Sequence, residues 1–130
     1  MDNPVNISGQ LLEDMVENYC VSNKISYKRA KPGAHEIDFI IDSNKGKIFA
    51  DCTNQMTGGS VEEKLPHKLW KYFKKYQYRN VYIIKGDHKI SKTVLDHCYE
   101  MARGYNFQLS FVNFEQFTNN LTAKEESFFG

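Results

Sequence analysis

Apolar residues recur along this chain with two periods, and the change from one to the other marks out its elements. Leu11, Leu12, Met15, Val16, Tyr19 and Cys20 form a stripe at helical spacing, with Glu13, Asp14 and Glu17 outside it. Ser8 is the expected N-cap, Ile7 and Leu12 the hydrophobic staple, and the predicted helix ends near Val21, before Asn23-Lys24. Ile25 to Lys31 then alternates with period two, as do His35 to Asp42 and Lys47 to Gln55; each predicts a strand. Pro32-Gly33 turns the first strand into the second, and Ser43-Asn44-Lys45-Gly46 turns the second into the third as an antiparallel hairpin.

The pattern continues with a long helix. Ser60-Val61-Glu62-Glu63 reads as a capping box, and Leu65, Leu69, Tyr72, Phe73 and Tyr76 form an apolar stripe. Pro66 predicts a kink or a delayed start. Asn80 to Lys85 is a near-continuous apolar run, expected as a central strand parallel to the one before the helix. Ser91 caps a third helix that stops at Gly104, Phe107 to Val112 is a last strand, and Asn113 opens a short helix to about Leu121. Thr122 to Gly130 reads as a frayed tail. The order αβββαβ, followed by α, β and a short helix, implies an α/β class with a mixed sheet flanked by helices.

The hairpin carries the candidate chemistry. With Ser43 opposite Gly46, Asp42 faces Lys47, Ile40 faces Phe49, Asp38 faces Asp51 and Glu36 faces Thr53. Ile37, Phe39 and Ile41 form one face of the first arm; Ile48, Ala50 and Cys52 are the apolar set of the second, with Asp51, Thr53 and Gln55 on the opposite, open face. Like charges directly opposed across a sheet are destabilising. A cation resolves the conflict, and clustered carboxylate oxygens are the hard donors that hold Mg²⁺ through one or two protein groups. An ordinary acidic solvent face is the competing reading, and a loop of different length would separate the two aspartates.

Composition narrows the partners. At 130 residues the chain is long enough for one domain, 1–130. Its net charge of +1 announces no global affinity for nucleic acid, so any such signal is local. Lys64, Lys68, Lys71 and Lys75 recur along one face of the second helix, either as a solvated face or as a track for phosphates. Cys20, Cys52 and Cys98 are far apart, which suits buried, reduced thiols and a cytoplasmic protein better than a zinc site or disulfides. Nothing resembles a membrane span, a secretory signal or a P-loop, so neither a membrane nor a nucleotide cofactor is expected. Gly58-Gly59 reads as a flexible connector, His35 and His67 as surface or supporting residues, and Trp70 with the tyrosines and phenylalanines as core and interface.

An acidic first helix, a hairpin with Asp38 on one arm and Asp51-Cys52-Thr53 on the other, and a helical crossover resemble the restriction-endonuclease-like, PD-(D/E)XK, nuclease superfamily over roughly Ser8 to Lys85. The resemblance implies metal-binding roles for Asp38 and Asp51, with Glu36, Glu13 or Glu17 assisting, and Mg²⁺ or Mn²⁺ as cofactor. It places Ile37 where a proline is usual and Thr53 where the family has its lysine. Lys64 is the expected substitute for that lysine, Lys47 the weaker one, and Gln55 matches a polar residue next to the lysine of several restriction enzymes. The implied activity is that of a DNA endonuclease similar to small type II restriction enzymes, cutting double-stranded DNA as a homodimer, with Lys68, Lys71 and Lys75 on phosphates. A catalytically inert nuclease-fold module that binds nucleic acid or a partner protein, and a junction-resolving or homing-type nuclease, are the alternatives.

Overall fold

The computed structural model describes residues 9–31, 37–44, 46–53, 58–86 and 90–122, with backbone alone for 58–63. Its elements are α1 (Gly9–Ser22), β1 (Tyr27–Arg29), β2 (Phe39–Ser43), β3 (Gly46–Thr53), α2 (Gly58–Trp70) continued by a π-helical turn (Lys71–Lys75), β4 (Asn80–Lys85), α3 (Lys92–Tyr105), β5 (Gln108–Val112) and α4 (Phe114–Thr122). The strands lie side by side in the order β1-β2-β3-β4-β5. β1, β2 and β3 pair antiparallel, while β3, β4 and β5 pair parallel, so the sheet is mixed as the pattern predicts.

The hairpin register is the expected one: Ser43 pairs with Gly46, Asp42 with Lys47 and Ile40 with Phe49. Gly46 sits at φ +109°, a conformation that a side chain would strain, and the Ser43 hydroxyl donates to its carbonyl at 2.7 Å. The expected open face of β3 is covered at Asp51 and Thr53, both buried, and stays open at Lys47. Phe39, Ile41, Ile48, Ala50 and Cys52 pack with Leu12, Val16 and Cys20 of α1 and with Phe117 and Leu121 of α4. On the other side Val81, Ile83 and Leu109 pack with Leu65, Leu69, Tyr72 and Phe73, and with Cys98 and Ala102 of α3. The central strands are therefore covered on both faces, as a crossover helix on a parallel pair requires. Ile37 departs from its expected face and joins this second core, because the regular alternation of β2 begins only at Phe39.

Helix boundaries follow local chemistry, with two departures. Ser91 accepts from the Val94 amide, and Asn113 and Gln116 exchange side-chain and backbone bonds at 2.7 and 2.9 Å, a reciprocal cap for α4. α3 runs past Gly104 and ends at Asn106, whose φ of +63° makes it the left-handed cap. α2 starts at Gly58, so Gly58-Gly59 is its first turn rather than a connector, and the helix continues through Pro66. The perturbation comes later, where the Tyr76 amide bonds the Lys71 carbonyl five residues back at 3.0 Å. Tyr78, two residues beyond, stacks on Phe49 of β3 with ring centroids 4.3 Å apart. The expected Ser8 cap, the Pro32-Gly33 turn and the tail beyond Thr122 lie outside the described residues, whereas Thr122 itself, expected in the tail, is the last residue of α4.

Candidate active site

Asp38 immediately precedes β2, and Asp51 lies near the C-terminal end of β3; continuing the hairpin register sets the two opposite each other. The Asp38 backbone carbonyl accepts from the Ala30 amide at 2.8 Å, which fastens it to the end of β1. Its carboxylate Oδ2 accepts from the Cys52 amide at 2.8 Å, which draws it across the ribbon toward β3. Asp51 is one of the few charged residues in the interior, 3% exposed. Its Oδ2 accepts from the Lys68 ammonium at 3.1 Å and its Oδ1 from the Tyr72 hydroxyl at 3.2 Å. Both donors come from the basic helix, one from α2 and one from the π-helical turn.

The electrostatics show two carboxyl groups competing for one place. Burial, then the charge of Asp51, pushes the Asp38 carboxyl up to about 8, despite the opposing Cys52 hydrogen bond; Glu13 adds to the rise. Burial pulls the Lys68 ammonium down, but Asp51 and Asp38 more than offset it, so its pKa lies above the ordinary lysine value. Tyr72 is driven upward by burial and by both aspartates, which keeps its hydroxyl a hydrogen-bond donor. Burial, with Asp38 and Asp51 behind it, likewise holds the Cys52 thiol protonated.

The remaining expected residues sort by their surroundings. Lys64, expected to supply the missing ammonium, is exposed one helical turn before Lys68; the cation at Asp51 is Lys68, which was expected on phosphates. Lys71 is half-buried and Lys75 is exposed, its ammonium 5.5 Å from the centre of the Tyr76 ring. Thr53 is buried, and its Cα partner on the neighbouring strand is Lys85, half-buried at the end of β4. Lys47 is paired with Asp42 at 2.8 Å on the exposed part of the hairpin. Glu36 and Gln55 lie outside the described residues.

Glu13 and Glu17 are engaged elsewhere. Arg29 of β1 gathers Glu13, Asp14 and Glu17 of α1 at 3.2, 2.9 and 2.7 Å, and the Tyr27 hydroxyl also donates to Glu17. Tyr27 first and Arg29 second hold the Glu17 carboxyl below its ordinary range. Glu13, Asp14, Glu17 and Arg29 border a groove of about 540 Å³ between α1 and β1. Of the two glutamates, Glu13 is the one whose charge acts on Asp38.

The donor set fits a hard divalent cation in its minimal form. Two carboxylates face each other at a cost that such an ion removes, and Mg²⁺ accepts one or two protein carboxylates with water completing its shell. Among the described residues no third His, Cys, Asp or Glu joins them as a metal-binding cluster. Tyr72 is a residue that the sequence pattern did not single out for the site, because it is indistinguishable there from the rest of its apolar stripe.

No curated protein matches the chain. A solved structure of SfsA from Pyrococcus furiosus in complex with Ca²⁺ is similar, with a TM-score of 0.46 and 12% identity; the match covers 82% of this chain and 58% of that one. The family pattern of the PD-(D/E)XK nuclease superfamily domain matches residues 32–118, a span that holds both aspartates, the lysine beside them and all the strands from β2 to β5. On that match over most of its length, the chain belongs to the PD-(D/E)XK nuclease superfamily.

Proposed function

We propose that this protein is a metal-dependent DNA endonuclease in which Lys68, on α2, takes the part of the lysine that Thr53 displaces from β3. The observation that carries this reading is the Lys68 ammonium held 3.1 Å from Asp51, one of two opposed carboxylates. Asp38 and Asp51 would hold Mg²⁺ or Mn²⁺, with Glu13 assisting. A bound metal supplies a polarised phosphate and a water of lowered pKa. Lys68 offsets the negative charge that develops on the scissile phosphate, and Tyr72 orients the Asp51 carboxylate by its hydrogen bond. Thr53 contributes a hydroxyl only. Lys71 and Lys75 contact flanking phosphates, and Glu36 and Gln55 are candidates from the sequence alone.

One site per chain cuts one strand, so double-strand cleavage of the restriction type implies a homodimer. The buried, unpaired Cys20, Cys52 and Cys98 suit a reducing compartment such as the cytoplasm. Among the described residues no helix is long and apolar enough to cross a membrane.

A second reading has its own support. Both Asp51 oxygens already accept hydrogen bonds, so Lys68 and Tyr72 can serve as the permanent counter-charge of an inert module that binds nucleic acid. Incubating supercoiled plasmid DNA with the protein in Mg²⁺, in Mn²⁺ and in EDTA separates the two. Metal-dependent nicking that disappears in Asp51→Asn supports the endonuclease, and intact plasmid across many sequences and DNA structures overturns it.

A further inference from the structure

Trp70 is the one tryptophan of the chain, and it is 40% exposed on the outer side of α2. Its neighbours Leu69 and Phe73 are buried against the sheet, so the helix turns the indole away from the core. His67, one turn earlier and also exposed, lies alongside it with ring centroids 6.0 Å apart and planes within 13° of parallel. The pair is a flat aromatic surface directed outward.

From Lys64 onward the charge along this helix and the turn that continues it has one sign. From Lys64 to Gly86 the sequence contains no carboxylate. Lys64 and Lys74 are exposed and Lys71 is half-buried. At helical spacing His67 and Lys74 adjoin Trp70, while Lys64 and Lys71 adjoin Lys68, the residue that reaches Asp51. A cationic strip thus joins the aspartate site to the exposed indole around one side of the helix. Lysines alone neutralise phosphates without regard to strand form. An outward indole adds what they lack, a surface on which a base can stack, and bases inside a duplex have both faces already covered.

We propose that Trp70 and His67 form a base-stacking platform for an unpaired nucleic-acid strand, with Lys71 and Lys74 on its phosphates. The platform deepens the nuclease reading, on which its choice of ligand rests, by naming a feature of the substrate: a single-stranded extension leading to the cleavage site.

The test uses the intact protein in EDTA, so that binding is measured without cleavage. Trp70 emission is followed during titration with thymidine and uridine homopolymers and with a blunt DNA duplex, while labelled oligonucleotides report affinity by anisotropy. Saturable quenching by the single strands and little by the duplex is expected. Trp70→Ala should weaken single-strand binding about tenfold and leave duplex affinity within about twofold, with Trp70→Phe retaining most of the binding. Circular dichroism confirms that the variants are folded. Equal quenching by duplex, unchanged affinity in Trp70→Ala, or emission that shifts with protein concentration and not with nucleic acid overturns the platform; the last result assigns the face to a second copy of the chain. Plasmid cleavage without quenching removes the platform alone, whereas quenching without cleavage removes the endonuclease reading alone.

Discussion

Lys68 and Asp51 are joined across the space between helix and sheet at 3.1 Å, although the strand position two residues beyond Asp51 carries Thr53 and no lysine. The positive charge beside this carboxylate stands on the helix that covers the sheet, at the distance of a direct ion pair.

Moving the charge to the strand should therefore restore what its removal takes away. Lys68→Met is expected to lower plasmid cleavage about 100-fold or more, the scale for losing one charge-stabilising donor at a reaction centre. Lys64→Met, one turn away and exposed, should cost less than about threefold by the same scale. Adding Thr53→Lys to Lys68→Met should recover part of the activity, because that position lies on the strand face that bears Asp51. Nicking rates for the three variants, with thermal melts to confirm folding, check this; equal losses in Lys64→Met and Lys68→Met would sink it.

The sequence could place the two aspartates because a short turn fixes a hairpin register, and the Ser43–Gly46 closure sets every pair behind it. It could not place Lys68. Which helical residue stands beside Asp51 depends on where α2 begins, and α2 begins at Gly58, two residues ahead of the Ser60 capping signal. Lys64 and Lys68 share a helix face, so periodicity alone cannot choose between them. The burial of Asp51 and Thr53 was hidden for a related reason: a polar residue on an alternating strand reads as solvent-facing until a crossover helix is known to cover it. The π-helical turn, which brings Tyr72 under Asp51, carries no signal beyond its apolar stripe.

The metal-free protein should lose stability as pH rises. The folded-state pKa of Asp38 is raised to about 8, so between roughly pH 4, its unfolded value, and pH 8 the folded chain holds a proton that the unfolded chain releases. Unfolding is then favoured by increasing pH, and the penalty is complete above pH 8. Asp38→Asn removes it. In EDTA the variant should melt above the wild type at pH 8 by roughly 4 °C for each kcal/mol relieved, and the gap should close toward pH 4. A gap that does not change with pH would show that Asp38 carries no such burden.

Metal binding should displace the same proton. At pH 7 Asp38 is mostly protonated, and a divalent cation shared with Asp51 needs the charged form. Calorimetric titration with Mg²⁺ or Mn²⁺ in buffers of different ionisation enthalpy should show about one proton released per ion at pH 7 and much less at pH 9. Binding with no proton release at pH 7 would place the ion away from Asp38.

Arg29 should matter to the site without touching it. Its guanidinium ties Glu13, Asp14 and Glu17 of α1 to β1, and of these Glu13 already adds to the pressure on Asp38. Replacing it by methionine leaves three carboxylates on adjacent turns without their shared cation. The side chains are between one-fifth and one-half exposed, so the loss is discounted by solvent screening from the buried-pair scale to about 1–2 kcal/mol. Because the freed charges repel one another and Asp38, added salt should recover part of the lost stability, which cavity formation around the missing guanidinium would not. The decisive measurement is the melting temperature of Arg29→Met against salt: a deficit that narrows as salt rises supports a charge hub, and one that stays constant makes Arg29 a packing residue with incidental partners.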